Sequence, residues 1–384
     1  MGSSATASLR LLFILDTYAP HIGGVETMFA RICAEMVERG HAVRVLTRGV
    51  AGAPARESID GVDVIRVPAA SRFVFAVLAL PWAVWLSRRA DVVHATTFAS
   101  SVPAALAAAA TGRPSLLTIL EVWTGKWRER TTFGPFAAML HDVLERAALC
   151  MPFERVVAIS HATGRDFVAA FPRKAARLRV VRNGFDMHAA MCSADAASAR
   201  RSRGIVSEEF LVCGFGRPGR SKGFIYLAKA FHEVRARLPR ARLVLVLDDA
   251  AEYRKLRDEI VAAAPQGSLV EPALSRAALG ALLRGADCIA VPSLCEGFGY
   301  AALEASASGA VVVASDAGSL PEVLGGKRIL VPPADTHELA AGIVAAAEGR
   351  FETLPLRSFP WGETIDGYEA CYRELLERRT GRSS

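Results

Sequence analysis

The sequence predicts an α/β protein built from two doubly wound, Rossmann-like domains in series, and three observations predict it. Short β-branched or Leu-rich runs alternate with Ala-rich helical stretches along the 384 residues, and the alternation fades around 187–204 before restarting. Hydrophobic residues make up 52% of the chain against 22% charged, which excludes a disordered or fibrous protein. Apolar strands joined by helical crossovers imply parallel sheets buried on both faces. At about 150 residues per domain, the length accommodates two.

In chain order, the first half reads as strands at 9–15, 42–46, 62–67, 91–94, 115–119, 156–159 and 178–181. The second half reads as strands at 210–213, 242–247, 268–270, 287–291, 310–314 and 328–331, with helices between most of them. In such folds ligands bind beyond the carboxyl ends of the strands, so chemistry is expected in strand-to-helix loops, in a cleft between the two domains. One segment, 73–86 (FVFAVLALPWAVWL), is unbroken by charge and is followed by Arg88 and Arg89. It is shorter than the roughly 20 residues a spanning helix needs, and Pro81 would kink it. Two readings stand: a core helix, or an interfacial helix resting on anionic headgroups.

The positive charge is unevenly spread. Residues 1–185 hold 22 basic and 14 acidic side chains, and 186–384 hold 24 and 25. A basic first half suits an anionic membrane surface or a phosphate-bearing partner, although an Arg-heavy composition alone has the same effect. Seven cysteines without a CxxC pair, and no leader before the first apolar run, lead us to expect a reduced cytoplasmic protein. The eight histidines show no HxH or HxxxH spacing, and no two aspartates stand one residue apart. No metal site and no other cofactor are therefore expected.

Three loops carry candidate chemistry. After the first strand, Gly23 and Gly24 open an amphipathic helix; bare glycine nitrogens there suit a phosphate or sugar, and a tight turn with positive φ is the alternative. Glu26 follows in the first helical turn, where an acid complements the helix dipole. In the second half, Gly214, Gly216 and Gly219 spell GxGxxG after a strand, the pattern of a dinucleotide site. Pro218 inside the turn, a helix that begins near Lys222 and an Asp248 placed 29 residues beyond the third glycine argue that the pattern is accidental. The same loop holds Arg217, Arg220 and Lys222, an arrangement that suits a diphosphate leaving group, or else a solvated basic loop. The sharpest pattern is PSLCEGFGYAALE. A buried strand ends at Pro292, a loop carries Glu296, Gly297, Phe298 and Gly299, and a helix carries Glu304. Two carboxylates on one wall suit the hydroxyls of a sugar or ribose.

With GGVE at 23–26, DVVH at 91–94, VRNGFD at 181–186, the basic loop 217–222 and the two-Glu motif 292–304 in this order, the chain resembles a retaining glycosyltransferase of family 4, group 1, with the GT-B fold. The resemblance implies an acceptor-side domain over 1–185 and a nucleotide-sugar donor domain over 186–360. It also implies a last helix within 361–384 that returns to pack on the first domain. By resemblance, Arg217 and Lys222 hold the donor diphosphate, Glu296 contacts the donor sugar, and Glu304 takes the ribose hydroxyls. Phe298 and Gly299 present backbone to sugar and phosphate, Gly23 and Gly24 lie near the diphosphate and acceptor, and His94 lies in the sugar or acceptor vicinity or serves as a structural hydrogen bonder. The family transfers a sugar with retention and without an essential metal. Two departures stand out: Leu120 occupies the place where the family commonly has a histidine, with Glu121 beside it, and Asp248 and Asp249 replace a glycine-containing turn.

The function expected is transfer of a sugar from a nucleotide-sugar donor to a glycan or lipid-linked acceptor in cell-surface polysaccharide or glycolipid synthesis. The expected setting is the cytoplasm, at the inner face of the plasma membrane, with peripheral contact to anionic lipid and no nucleic-acid partner. The alternatives are a catalytically weak sugar-nucleotide-binding or scaffold protein, which Leu120 motivates, and a nicotinamide-dependent oxidoreductase, which Gly214 to Gly219 motivate.

Overall fold

The computed structural model describes residues 7–21, 23–187 and 195–381. The chain divides into two compact units. The first holds the chain up to Lys126, Phe136–Gly184 and everything from Pro360 on; the second holds Trp127–Pro135 and Phe185–Phe359. Segment 127–135, placed with the first domain by the sequence, therefore belongs to the second unit.

The first unit begins with β1 (Arg10–Leu15), α1 (Gly24–Glu38), β2 (Ala42–Arg48), β3 (Arg56–Ile59), β4 (Val62–Val67), α2 (Arg72–Ser87), β5 (Val92–Thr96), α3 (Ser101–Thr111) and β6 (Ser115–Ile119). After α4 (Trp127–Arg130), which lies in the second unit, it continues with α5 (Pro135–Cys150), β7 (Arg155–Ala158), α6 (His161–Ala170) and β8 (Leu178–Val180). The strands form one sheet in the order β3-β4-β2-β1-β5-β6-β7-β8. Every pairing is parallel except β3 with β4. β5 and β6 are buried at every position, as strands covered on both faces must be.

The second unit runs α7 (Ala196–Arg201), β9 (Phe210–Gly216), α8 (Phe224–Arg237), β10 (Ala241–Leu247), α9 (Arg254–Ala263), β11 (Leu269–Glu271), α10 (Arg276–Gly285) and β12 (Cys288–Val291). It closes with α11 (Tyr300–Ser308), β13 (Val311–Ser315), α12 (Leu320–Val323), β14 (Gly326–Val331), α13 (Thr336–Ala347) and β15 (Glu352–Leu354). Its sheet order is β11-β10-β9-β12-β13-β14-β15, parallel except for the β14–β15 edge. Gly214 lies inside β9, where a Cβ would press on Leu227 and Leu245 at 2.9 and 3.0 Å. It is a packing glycine rather than part of a phosphate turn.

The last helix, α14 (Trp361–Thr380), belongs to the first unit. Its Tyr368 and Tyr372 are fully buried, and Arg155, with no exposed surface, donates to Glu374 at 2.6 Å. Removing Glu374 would strand the buried guanidinium charge. Among the described residues no helix is long and apolar enough to cross a membrane. The 73–86 segment becomes α2, continuous through Pro81. One face, with Phe75, Ala79, Ala83 and Leu86, is buried, and the other is exposed.

Candidate functional site

Strand order reverses once in each sheet: β1 has β2 and then β4 on one side and β5 on the other, and β9 has β10 and β11 on one side and β12 on the other. At such a point the loops leaving the two central strands diverge and open a crevice at their carboxyl ends. In the second unit the loops at this point are 217–223 after β9 and 292–299 after β12, which carry the two strongest sequence motifs.

The two loops are tied together. The Leu294 N–H donates to the Ser221 carbonyl at 2.7 Å, and Lys222 Nζ donates to Glu296 Oε1 and Oε2 at 2.9 and 2.8 Å. Two glycines make that approach possible. Gly223 has φ +70, and a Cβ there would overlap the Pro292 carbonyl oxygen. Gly318, after β13, has φ +56, and a Cβ there would overlap the Glu296 backbone. Both positions favour glycine for its backbone as well as for its size. Ser319 closes the clamp, donating from its N–H and Oγ to the Glu296 carbonyl at 3.0 and 3.1 Å.

Gly299 adopts φ +95 immediately before α11, so the amides at the helix start follow the Glu296 loop directly. The Phe298 ring is buried in edge contacts with Tyr300 and Phe359, each at 5.3 Å between centroids, so this residue has only backbone to offer a ligand. Glu304 lies one turn into α11. Burial pushes its carboxyl above the usual range, with Arg276, at the start of α10, opposing. Arg217 is exposed and close enough to the Tyr253 phenol to lower its pKa against the larger effect of burial. The second unit thus gathers Arg217, Lys222, Glu296, Gly299 and Glu304 in the loops and helix start around the β9–β12 reversal. Cations suit an anionic leaving group, and carboxylates suit hydroxyls.

In the first unit, Gly23 precedes α1 with an extended backbone rather than a positive φ, which removes the tight-turn reading. The Glu26 carboxylate folds back into the space a Cβ at Gly23 would take, an overlap that this flexible side chain could relieve by turning away. Glu26 also accepts from Thr17 Oγ1 at 2.5 Å, with His21 Nδ1 at 3.4 Å. Beside it, Asp16 at the end of β1 stands 3.6 Å from Arg48 and 3.7 Å from Arg72. Burial is the main influence on its carboxyl and raises it, although both guanidiniums act the other way.

Of the two readings of His94, the structure takes the structural hydrogen bonder over the sugar or acceptor vicinity: its ring is 1% exposed in the core of the first unit. Nδ1 lies 2.7 Å from Tyr372 Oη, Nε2 lies 2.8 Å from Thr118 Oγ1, and the ring packs on Phe13 at 4.7 Å. Burial pushes its pKa down to about 3, so the ring is neutral and structural. Leu120 follows the end of β6, where its carbonyl accepts from Thr163 Oγ1 at 3.3 Å. The Glu121 carboxylate beside it accepts from Trp123 Nε1 at 2.5 Å.

Sequence reasoning missed Ser221, Gly223, Arg276, Gly318 and Ser319, which shape the second-unit site, and Asp16, Arg48 and Arg72 in the first. Glycines and serines in loops carry no chemistry of their own, so only the fold reveals that they hold Glu296. Among the described residues no cluster of three His, Cys, Asp or Glu is placed to hold a metal ion.

Residues 22–189 match the family described as Glycosyltransferase Family 4, and residues 209–348 match Glycosyl transferases group 1. A D-inositol 3-phosphate glycosyltransferase of Segniliparus rotundus is 33% identical over 226 residues, covering 55% of this chain and 49% of that protein, so the match spans about half of its length. A protein of the same description from Catenulispora acidiphila is 27% identical over 390 residues, covering 94% and 93%. Among solved structures, Anabaena HepE in complex with UDP and glucose superposes with a TM-score of 0.70 at 20% identity, covering 98% of this chain and 99% of that one. The trehalose 6-phosphate synthase of Burkholderia multivorans gives 0.73 at 15% identity, covering 98% and 99%.

Proposed function

The chain belongs to the glycosyltransferases of family 4, group 1, with the GT-B fold, and from that premise we propose that it moves a sugar from a nucleotide-sugar donor to a glycan or lipid-linked acceptor with retention at the anomeric carbon. The observation that carries this reading is the Lys222–Glu296 pair, which places an ammonium and a carboxylate side by side at the β9–β12 reversal.

Arg217 and Lys222 receive the donor diphosphate and stabilise the charge that builds on it as the glycosidic C–O bond breaks. Glu296 accepts from hydroxyls of the donor sugar. Glu304 accepts from the ribose hydroxyls, and the amides after Gly299 face phosphate. The acceptor hydroxyl attacks from the face the leaving group departs, through an oxocarbenium-like state, and the departing diphosphate takes its proton. Gly23 and Gly24 belong to the diphosphate and acceptor side. Turnover needs no metal ion or other cofactor. The setting we propose is cell-surface polysaccharide or glycolipid synthesis at the cytoplasmic face of an anionic membrane, supported by the basic first half of the sequence.

The experiment is a thermal-shift panel with UDP, GDP, ADP, their common sugar conjugates and NAD(H), with and without EDTA, since a ligand raises the melting temperature by mass action. A chelator-insensitive shift with one nucleoside diphosphate, followed by transfer from its sugar conjugate, is the expected result. A shift with NAD(H) alone would replace this reading with the oxidoreductase, and no shift would leave a weak binder or scaffold.

A further inference from the structure

In a water-soluble fold an amphipathic helix turns its apolar stripe inward. α5 turns most of its large apolar side chains outward. Phe136, Met139, Leu140, Val143 and Leu144 recur at helical spacing and are 73, 58, 45, 57 and 41% exposed, whereas its inward face holds Ala138, Glu145, Ala148 and a single large apolar residue, Leu149. α2 shows a second outward apolar face: Phe73, Val77, Leu78, Trp82 and Trp85 are each 44–70% exposed. The two faces meet where the Phe73 ring stands edge-on to His141 at 6.4 Å. Ten large apolar side chains on adjoining helices far exceed the scattered exposure ordinary for a surface.

Charge separates the possible occupants. α2 contains no acid; Arg72 at its start pairs with Asp16, and Arg88 and Arg89 follow its end, with Arg89 stacked over Trp85 at 5.6 Å. On α5 both acids are engaged: Glu145 is buried and accepts from the Trp123 N–H, and Asp142 accepts from Arg146 and the Gly125 N–H. The free charge around the apolar face is therefore positive. A second copy of this surface would bring like charges together. A bilayer of anionic lipid takes the indoles at headgroup depth, the aliphatic side chains below them and the guanidiniums against phosphate.

We infer that α2 and α5 form one membrane-docking surface that seats the first unit on an anionic bilayer. This deepens the proposed function and rests on it for purpose, because both helices also brace the carboxyl-end loops of the sheet. Arg72 reaches Asp16 after β1, and Glu145 holds Trp123 and Thr124 after β6. A surface resting on lipid would bring those loops to the depth at which a lipid-linked acceptor presents its headgroup.

The test is vesicle flotation of the full-length protein with phosphatidylcholine vesicles with and without 30% phosphatidylglycerol, at low and high salt. Each variant is also checked by light scattering for mass and by thermal shift with UDP, GDP and ADP. Wild type is expected to float with the anionic vesicles and less at high salt. The variant Trp82→Ser/Trp85→Ser/Phe136→Ser/Met139→Ser is expected to partition at least tenfold less while keeping its nucleotide shift, and Arg88→Glu/Arg89→Glu is expected to lose the salt-sensitive part. Wild type that stays out of anionic vesicles overturns the inference, as does a fourfold variant that floats like wild type. A dimer that the fourfold variant dissolves, with no flotation, would assign the face to a second copy instead. Flotation without any nucleotide shift would leave the surface standing and remove the transferase reading.

Discussion

Lys222 Nζ lies within 2.9 Å of both carboxylate oxygens of Glu296, although 74 residues separate them, and the Leu294–Ser221 hydrogen bond fixes the backbones that carry them. The pair keeps a cation and an anion in place before any donor arrives, so binding spends little on ordering them. Lys222→Ala and Glu296→Gln are each expected to cut kcat/KM for the nucleotide sugar by at least ten-fold. The two side chains are 28% and 11% exposed, so Lys222→Ala, which leaves the less exposed carboxylate unpaired, should cost more stability than Glu296→Gln. Steady-state kinetics beside a melting curve checks both halves. Near-normal turnover in either folded variant would overturn the site assignment.

The glycines that clamp this loop allow a controlled comparison. Gly223, Gly318, Gly52 and Gly349 all have positive φ, but an added Cβ meets backbone only at the first two and nothing within 4 Å at Gly52 and Gly349. Each Gly→Ala change carries the same left-handed strain of about 1–2 kcal/mol. Gly223→Ala and Gly318→Ala must in addition push the Glu296 loop aside. We expect these two to lose at least ten-fold in turnover and the other two to lose only melting temperature. Equal kinetics across all four would mean that the clamp does not position Glu296.

Glu304→Gln separates binding from stability. Burial raises the Glu304 carboxyl, so the folded state holds its proton more tightly than the unfolded chain does. Stability therefore falls as pH rises from the unfolded pKa through the raised folded one, and the glutamine variant should lack that fall. The same variant loses a bidentate acceptor for ribose. We expect nucleoside diphosphate to bind about ten-fold more weakly to a protein no less stable than wild type at pH 7. Unchanged nucleotide affinity by calorimetry would remove Glu304 from the ribose site.

What the sequence shows and hides follows from what each signal depends on. Parallel strands covered on both faces read as continuous apolar runs, so the central strands and both switch-point loops are legible. β3 (RESI) and β15 (ETL) are not, because they are short, polar and held as strands only by their antiparallel neighbours. His94 stays undecided in the sequence for a related reason. In a strand buried at every position alternation cannot tell core from cavity, and its partner Tyr372 stands 278 residues away. The α5 stripe is periodic in the sequence, but periodicity gives a helix a face and cannot say whether that face turns inward. The two-Glu motif is legible because its chemistry sits in side chains, whereas Gly223 and Gly318 act only by leaving space.

His94 yields the last prediction, on pH. Burial among Phe13, Tyr368 and Tyr372 lowers its pKa to about 3, while the unfolded chain has the ordinary value near 6.5. Between these two values the unfolded chain binds a proton that the folded protein refuses. Stability is thus full above about pH 6.5 and is lost as pH falls, at up to about 1.4 kcal/mol per pH unit for this one group. His41, also lowered by burial, acts in the same direction, whereas ion pairs hold the carboxyls of Asp63, Asp91 and Glu369 below the usual carboxylate range. The raised groups Asp16, Glu304 and His337 act the other way, so the His94 part is read as the difference between wild type and a His94 variant from pH 6.5 to 5. His94→Gln should lose about 1–2 kcal/mol at pH 7.5, because an amide replaces the bonds to Tyr372 and Thr118 imperfectly. It should also show a shallower decline on acidification, with the His41 part remaining. Urea unfolding at pH 7.5, 6 and 5 measures both quantities. A decline as steep as in wild type would mean that the His94 ring accepts its proton in the folded protein, and that its cavity opens to water far more readily than this packing allows.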